Sequence, residues 1–195
     1  MLFISGNLFA LDVNDLKSAE KLANATSDIN FLLFPKQAHV IFQGSNLHSD
    51  LYRNMSGHIN LPYQKSYYFT GSMGYKELEK RSLTSLSIGF YYVGGDRDSS
   101  DMNTFAGISK TATDHELFRV RNINFIGGVL KSSKNYQLSS AIVLDYTLGS
   151  VRDLDEEIDV WSPGLISSIQ RDKIYFSIKL NRIGIIYALG WGVEL

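Results

Sequence analysis

The sequence predicts an all-β fold, an antiparallel up-and-down barrel of about eight strands. From residue 28 onward, large apolar side chains recur at every second position in one segment after another, which is the period of a β-strand. The chain is rich in aromatic residues that favour strands, with 11 Tyr and 11 Phe, and it contains 16 Gly but only 3 Pro. Its 195 residues suffice for one domain of ordinary size.

An N-terminal segment, residues 1–27, precedes the predicted barrel at residues 28–195. The stretch "LFISGNLFA" is either the remnant of a secretory signal peptide, with cleavage after Ala10, or an ordinary apolar N-terminus. Residues 14–25 then place apolar side chains at helical spacing: Leu16, Ala19, Leu22 and Ala23. We therefore expect a short N-terminal helix that lies on the surface or docks on or in the barrel.

The first three candidate strands are residues 29–43, 64–78 and 82–93. Pro35 interrupts the first, because proline cannot donate to a β-ladder, and leaves residues 37–43 as its usable part. The second and third strands alternate cleanly. Their apolar faces carry Tyr67, Phe69, Met73, Tyr75, Leu86, Ile88, Phe90 and Tyr92.

The fourth candidate strand, residues 117–130, departs from simple alternation. Before Asn122, Val120 belongs to the apolar face, which places Arg119 and Arg121 on the opposite face. After Asn122 the phase changes, and the apolar face continues with Ile123, Phe125 and Val129. A β-bulge inserts one extra residue into a strand, so we predict a bulge near Asn122.

Residues 135–148 form the most regular candidate strand. One face carries Tyr136, Leu138, Ile142, Leu144, Tyr146 and Leu148. The other face carries polar or small residues, among them Gln137, Ser139, Ala141 and Asp145. Such strict alternation is typical of a strand whose two faces meet different surroundings.

The last three candidate strands are residues 158–169, 173–180 and 183–195. Pro163 and Gly164 indicate a bulge or bend in the first of them. The second alternates Ile174, Phe176, Ile178 and Leu180 with Lys173, Tyr175, Ser177 and Lys179. The third alternates Tyr187, Leu189, Trp191, Val193 and Leu195 with Ala188, Gly190, Gly192 and Glu194.

The connections between these strands differ in length. The short ones are residues 79–81, 132–135 and 171–172, and the others are 44–63, 94–116, 149–157 and 181–182. Transmembrane barrels have short turns at one end and longer loops at the other. We therefore expect the segments 44–63 and 94–116 to be loops on the outer surface, with both termini at the short-turn end.

The two faces of the strands indicate what surrounds the barrel. The interior of an eight-stranded barrel is just wide enough for side chains, which suits the face of small and charged residues. A polar face exposed to water would carry more Lys and Glu than Gly, Ser and Ala. We therefore expect the apolar face to contact lipid. The alternative is a soluble, lipocalin-like barrel that binds a ligand with the apolar face inward.

The alternating strands and the closing segment resemble those of small eight-stranded bacterial outer-membrane β-barrel proteins. Gly190 followed by alternating Trp191, Val193 and Leu195 is similar to the C-terminal signal of such proteins, although the usual terminal Phe or Trp is a leucine here. The resemblance covers residues 28–195. It implies a place in the bacterial outer membrane, contact with membrane lipid and lipopolysaccharide, and insertion by the barrel assembly machinery.

The composition excludes several other function classes. With 19 basic and 20 acidic residues, the chain offers no electrostatic basis for binding nucleic acid. It has no cysteine, and therefore no disulfide, thiolate zinc site or thiol nucleophile. It has no run of 18 apolar residues that would predict a transmembrane helix.

Charged residues collect on the face that we predict to be inward. They are Arg119, Arg121, Asp145, Lys173, Lys179 and Glu194. Buried charges must be paired or hydrated, so we predict an ionic network that plugs the lumen. The alternative is that these charges gate a narrow pore.

Two further sets of residues are candidates for chemistry. The stretch "GGDRDSSDMN" offers Asp96, Asp98 and Asp101 as oxygen ligands for calcium, although the closing glutamate of the usual loop is missing and a solvated acidic turn is the alternative. A lipase or acyltransferase could use the histidines of the predicted loops, His48, His58 or His115. No zinc spacing, nucleophile elbow, P-loop or dinucleotide fingerprint accompanies them.

From the sequence we therefore expect an outer-membrane barrel with a structural, surface-interaction or minor-pore role and no cofactor, calcium apart.

Overall fold

The computed structural model describes ten β-strands in a single closed sheet. It covers residues 32, 34, 38–47, 52–78, 81–95, 101–114, 118–133, 136–151, 156–181 and 184–195. The strands are β1 (His39–Leu47), β2 (Tyr52–Tyr63), β3 (Tyr67–Leu78), β4 (Arg81–Gly94), β5 (Met102–Asp114), β6 (Phe118–Ser132), β7 (Tyr136–Val151), β8 (Glu156–Arg171), β9 (Ile174–Asn181) and β10 (Gly184–Glu194).

Antiparallel pairing closes the sheet into a barrel. Each strand pairs with its neighbours in the chain, and β1 also pairs with β10, from His39 opposite Glu194 to Leu47 opposite Ile186. Closure removes the edge strands that an open sheet would expose. The predicted all-β antiparallel barrel is confirmed.

The barrel has ten strands and not eight. The two additional strands are β2 and β5, which lie within the segments 44–63 and 94–116 that we predicted as loops. Both alternate weakly in sequence. In β2, Gly57 and Pro62 interrupt the pattern, and β5 has its largest inward side chain, Phe105, on the face that is otherwise polar.

The additional strands also change the ends of the barrel. We call the end that carries residue 38 and Leu195 the terminal end, and the other end the distal end. Between β2 and β3, β4 and β5, β6 and β7, and β8 and β9 the chain reverses direction at the terminal end, and between the other consecutive strands it reverses at the distal end. The segments 44–63 and 94–116 therefore turn at opposite ends, and the prediction that they form two loops on one surface is wrong.

Strand β6 has no bulge. Its register with β7 runs without interruption from Phe118 opposite Val151 to Ser132 opposite Gln137. Val120 consequently lies inside the barrel, 3% exposed, while Arg119 and Arg121 lie on its outer surface. The prediction that these two arginines face the lumen is overturned, because the strand keeps one phase along its length.

Strand β8 also keeps an unbroken register with β7, from Glu156 to Arg171. Pro163 therefore marks no bulge on that side. In the described residues the ladder between β8 and β9 runs from Leu165 to Arg171, so Pro163 lies beyond it, where the missing N–H removes no ladder bond with β9.

The closing strand has the predicted orientation. Leu189 and Trp191 are 62% and 52% exposed, whereas Ile186 and Ala188 are each 1% exposed and Gly192 is buried.

The predicted N-terminal segment 1–27, with its helix, lies outside the described residues. No helix in the described part of the chain has the length and hydropathy needed to cross a membrane.

Candidate functional site in the barrel lumen

A short piece of chain ahead of β1 lies inside the barrel near the terminal end. Its described residues, Leu32 and Phe34, are 1% and 2% exposed. The ring of Phe34 packs against three aromatic rings, with centroid distances of 5.0 Å to Tyr68, 5.8 Å to Tyr91 and 4.8 Å to Phe105. Tilted and edge-to-face contacts of this kind are favoured between aromatic rings. We call Leu32 and Phe34 the plug.

Side chains of the barrel wall hold the backbone of the plug. Gln137 accepts a hydrogen bond from the Phe34 N–H at 2.7 Å, and its Nε2 lies 3.4 Å from the Phe34 carbonyl oxygen. Tyr68 OH donates to the same carbonyl at 3.1 Å, and Ser139 Oγ donates to the Leu32 carbonyl at 2.6 Å. Backbone groups that enter a barrel interior have no ladder partner, so these side chains replace the ladder and fix the plug.

Glycines make room for aromatic rings in the lumen. A Cβ atom on Gly89 would lie 2.8 Å from the Tyr91 ring, and one on Gly107 would overlap that ring. On β10, a Cβ atom on Gly192 would lie 2.5 Å from Tyr175. The glycine on the inner face of β10 therefore leaves the space that the Tyr175 ring occupies.

Polar side chains line the lumen beyond the plug. Thr111 donates to Ser87 at 3.1 Å, Asn124 donates to Ser109 at 3.1 Å, and Ser168 and Ser177 share a hydrogen bond of 2.7 Å. These groups are buried, and hydrogen bonding offsets the cost of removing them from water.

The structure brings Asp145 and Lys179 together in this polar part of the lumen. Lys179 Nζ lies 2.7 Å from Asp145 Oδ2, and both side chains are 1% exposed. In register, Asp145 lies opposite Asn124 of β6 and Ser162 of β8. Within the described part of the chain, Asp145 Oδ1, Asn124 Oδ1 and Ser162 Oγ have no hydrogen-bond partner. The pair therefore brings two fully buried charges into a short contact.

The other residues of the predicted ionic network do not join this pair. Arg119 binds Asp114 at 2.7 Å on the outer surface, and Arg121 is exposed there. Lys173 is exposed in the turn after β8. Glu194 lies at the terminal end, 65% exposed, with Oε1 3.7 Å from His39 Nε2. Among the described residues, the lumen thus holds one buried ion pair where the sequence suggested a network of six residues.

The predicted calcium and catalytic residues are only partly described. Asp96, Asp98, His48 and His115 lie outside the described residues, and Asp101 is exposed next to β5. The described residues contain no group of three His, Cys, Asp or Glu side chains able to hold a metal ion. His58 lies in the lumen, with Nε2 2.9 Å from Ser56 Oγ. Calcium binding and lipid chemistry stay predictions.

The outer surface of the barrel is apolar on all ten strands. In the described residues every strand exposes at least one large apolar side chain, from Phe42 on β1 to Leu189 on β10. The middle of the surface carries Leu86, Ile88, Ile108, Phe125, Ile142, Leu144 and Leu165. Sequence analysis found this face because the alternation is local, although it missed the two strands with weak alternation.

Aromatic side chains flank this apolar middle at both ends. The terminal girdle consists of Tyr63, Tyr67, Tyr92, Tyr136 and Trp191, and the distal girdle of Tyr75, Tyr146 and Trp161. In the distal girdle Tyr146 stacks on Trp161 at 4.4 Å. Tyr136 and Tyr146 are ten residues apart on β7. That is about 33 Å of strand, or about 25 Å along the axis at a tilt of roughly 40°.

Comparison with known proteins does not identify a family. No protein-family model matches the chain, and no curated protein matches it. Among solved structures, one chain from work on the in-meso crystallization of membrane proteins is 8% identical, over 80% of this chain and 84% of that chain, with a TM-score of 0.35. The function is therefore inferred from the geometry of the chain itself.

Proposed function

We propose that the protein is an integral β-barrel of the bacterial outer membrane, with a closed lumen and a structural or surface-interaction role. The observation that carries this proposal is the distribution of side chains across the barrel wall. Large apolar residues are exposed on all ten strands, while an ion pair and many Ser, Thr and Asn side chains are buried inside. A soluble ligand-binding barrel would have the opposite arrangement.

Elementary energetics supports a lipid environment. Apolar surface left in water is unfavourable by about 25 cal/mol per Å², and soluble monomers rarely expose continuous apolar patches larger than a few hundred Å². A closed barrel can enter lipid because all of its ladder groups are paired within the sheet. On β7 the two girdles are about 25 Å apart along the axis, which matches the height of the apolar band on transmembrane barrels.

The plug inside the lumen favours a structural or surface role over that of an open porin. The plug, held by Gln137, Ser139 and Tyr68, occupies the terminal end, and the pair of Asp145 and Lys179 lies in the polar part. A minor-pore role would require the plug to leave the lumen. The contact between Ser56 and His58 gives no support to the lipid-modifying alternative, because both side chains are buried in the lumen and do not face lipid.

Membrane extraction tests the proposed location. We expect the chain to fractionate with outer membranes, to need detergent to stay folded, and to show a folded band on unheated gels that shifts on heating. A folded monomer in detergent-free buffer would refute the proposal.

Conductance in planar bilayers tests the closed lumen. We expect no steady conductance from the wild-type protein and frequent openings when the plug is truncated by Leu32→Ala and Phe34→Ala together. Met102→Ala, which truncates an exposed side chain on the outer surface, serves as the control. Steady conductance of the wild-type protein would show that the plug does not close the lumen.

A further inference from the structure

Two basic side chains interrupt the apolar outer surface near the distal girdle. Lys110 of β5 lies opposite Ile123 of β6, and Arg121 is two residues away from Ile123 on β6. Both basic residues are exposed on the outer face. Diagonal neighbours of this kind are about 7–8 Å apart at their backbones, within reach of long side chains that converge. We call Lys110 and Arg121 the basic pair.

The basic pair has no anionic partner in the described part of the chain. Asp114, on the same face of β5, binds Arg119 at 2.7 Å. Asp159 accepts a hydrogen bond from Tyr146 at 3.0 Å. Neither Lys110 nor Arg121 has a hydrogen bond or ion pair with a described residue. A positive charge on a lipid-facing surface is unfavourable unless it reaches the interface or meets an anion.

An apolar groove begins beside Lys110. It has a volume of about 530 Å³ and runs across β3, β4, β5 and β6. Its side-chain walls are Phe69, Ile88, Phe90, Ile108 and Ile123, and Lys110 forms part of its lining. The groove therefore places a cation beside an apolar channel. This is the combination that would bind an anionic amphiphile.

We propose that this surface binds one anionic phospholipid, with its phosphate on Lys110 and Arg121 and an acyl chain in the groove. The proposal rests on the membrane location proposed above. Phosphate oxygens accept charge-assisted hydrogen bonds from an ammonium group and, in bidentate form, from a guanidinium group. A single groove with two cations fits a phospholipid better than lipopolysaccharide, whose several acyl chains and phosphates need a broader surface.

Lipid competition tests this site. Protein purified in detergent and stripped of lipid is mixed with phosphatidylglycerol or phosphatidylcholine, and bound lipid is counted by native mass spectrometry. We expect the wild-type protein to prefer phosphatidylglycerol by roughly tenfold to thirtyfold, as two interfacial cations would give. The double variant Lys110→Gln with Arg121→Gln should lose this preference. Lys131→Gln, which removes an exposed cation at the other end of β6, should keep it.

Three outcomes would overturn the site. They are equal binding of the two phospholipids by the wild-type protein, the same loss of preference in Lys131→Gln, and displacement of phosphatidylglycerol by equimolar lipopolysaccharide. The wild-type comparison is decisive even if the double variant does not fold. If the protein needs detergent but does not distinguish the headgroups, only the lipid site fails. If it folds without detergent, the proposed function fails as well.

Discussion

The inner and outer surfaces of the barrel wall are built on the same ten strands but by different rules. On the outer surface the large side chains between the two girdles are mainly apolar, and most of them face the surroundings and not a fixed partner. On the inner surface several large or charged groups have a particular counterpart, such as Lys179 for Asp145 and Gly107 for Tyr91. The outer surface should therefore tolerate a change of shape but not of charge, whereas the inner surface should tolerate neither.

The largest effect should come from breaking the inner ion pair. Asp145→Ala leaves the Lys179 ammonium group buried without its carboxylate, and we expect the free energy of unfolding to fall by about 3–5 kcal/mol. Denaturant unfolding in detergent micelles measures this change. Replacing both partners, with Asp145→Leu and Lys179→Met, should recover much of the loss because no isolated charge remains. A single variant as stable as the wild type would show that the pair is not buried.

A charge on the outer surface should have the next largest effect. Ile142, 65% exposed, lies between the two girdles on β7. Ile142→Arg should destabilise the inserted barrel by about 2–4 kcal/mol, because an arginine would meet lipid near the bilayer midplane. The yield of folded barrel in lipid vesicles measures the change. Ser133→Arg, in a turn at the terminal end, is the control. Equal yields for the two variants would contradict a lipid-facing surface.

A smaller effect should come from a single methyl group added to the inner surface. Gly192→Ala places a Cβ atom 2.5 Å from the Tyr175 ring, so we expect a loss of about 1–3 kcal/mol from overpacking. Gly127→Ala is the matched control, since a Cβ atom there has nothing within 4 Å. The comparison uses the same denaturant unfolding. If both variants lose the same stability, the tight packing of the lumen at Gly192 is disproved.

The smallest effect should come from the ion pair on the outer surface. The contact between Asp114 and Arg119 has the same length as the inner pair, 2.7 Å, but its side chains are 53% and 48% exposed. Asp114→Ala should therefore cost at most about 1 kcal/mol, because exposed ion pairs contribute little. Thermal or denaturant unfolding of Asp114→Ala and Asp145→Ala in parallel measures the difference between their losses of stability. A loss as large as that of Asp145→Ala would contradict the distinction between the two surfaces.

Local sequence patterns determined which residues lie in most strands and which face of those strands is apolar. The alternation in residues 135–148 and 183–195 was enough to place Tyr136, Leu144 and Trp191 on the outer surface. This was possible because successive side chains of a strand point to opposite faces, so the pattern is complete within one segment.

The tertiary structure alone decided the number of strands, the phase of β6 and the contents of the lumen. Strands β2 and β5 alternate too weakly to be recognised without their neighbours, and Arg119 can face outward because it lies near the distal end of the barrel. Lys179 meets Asp145 across 34 residues, and the plug meets Gln137 across 103. Such contacts depend on ring closure and register, which link distant segments and leave no periodic signal in the sequence.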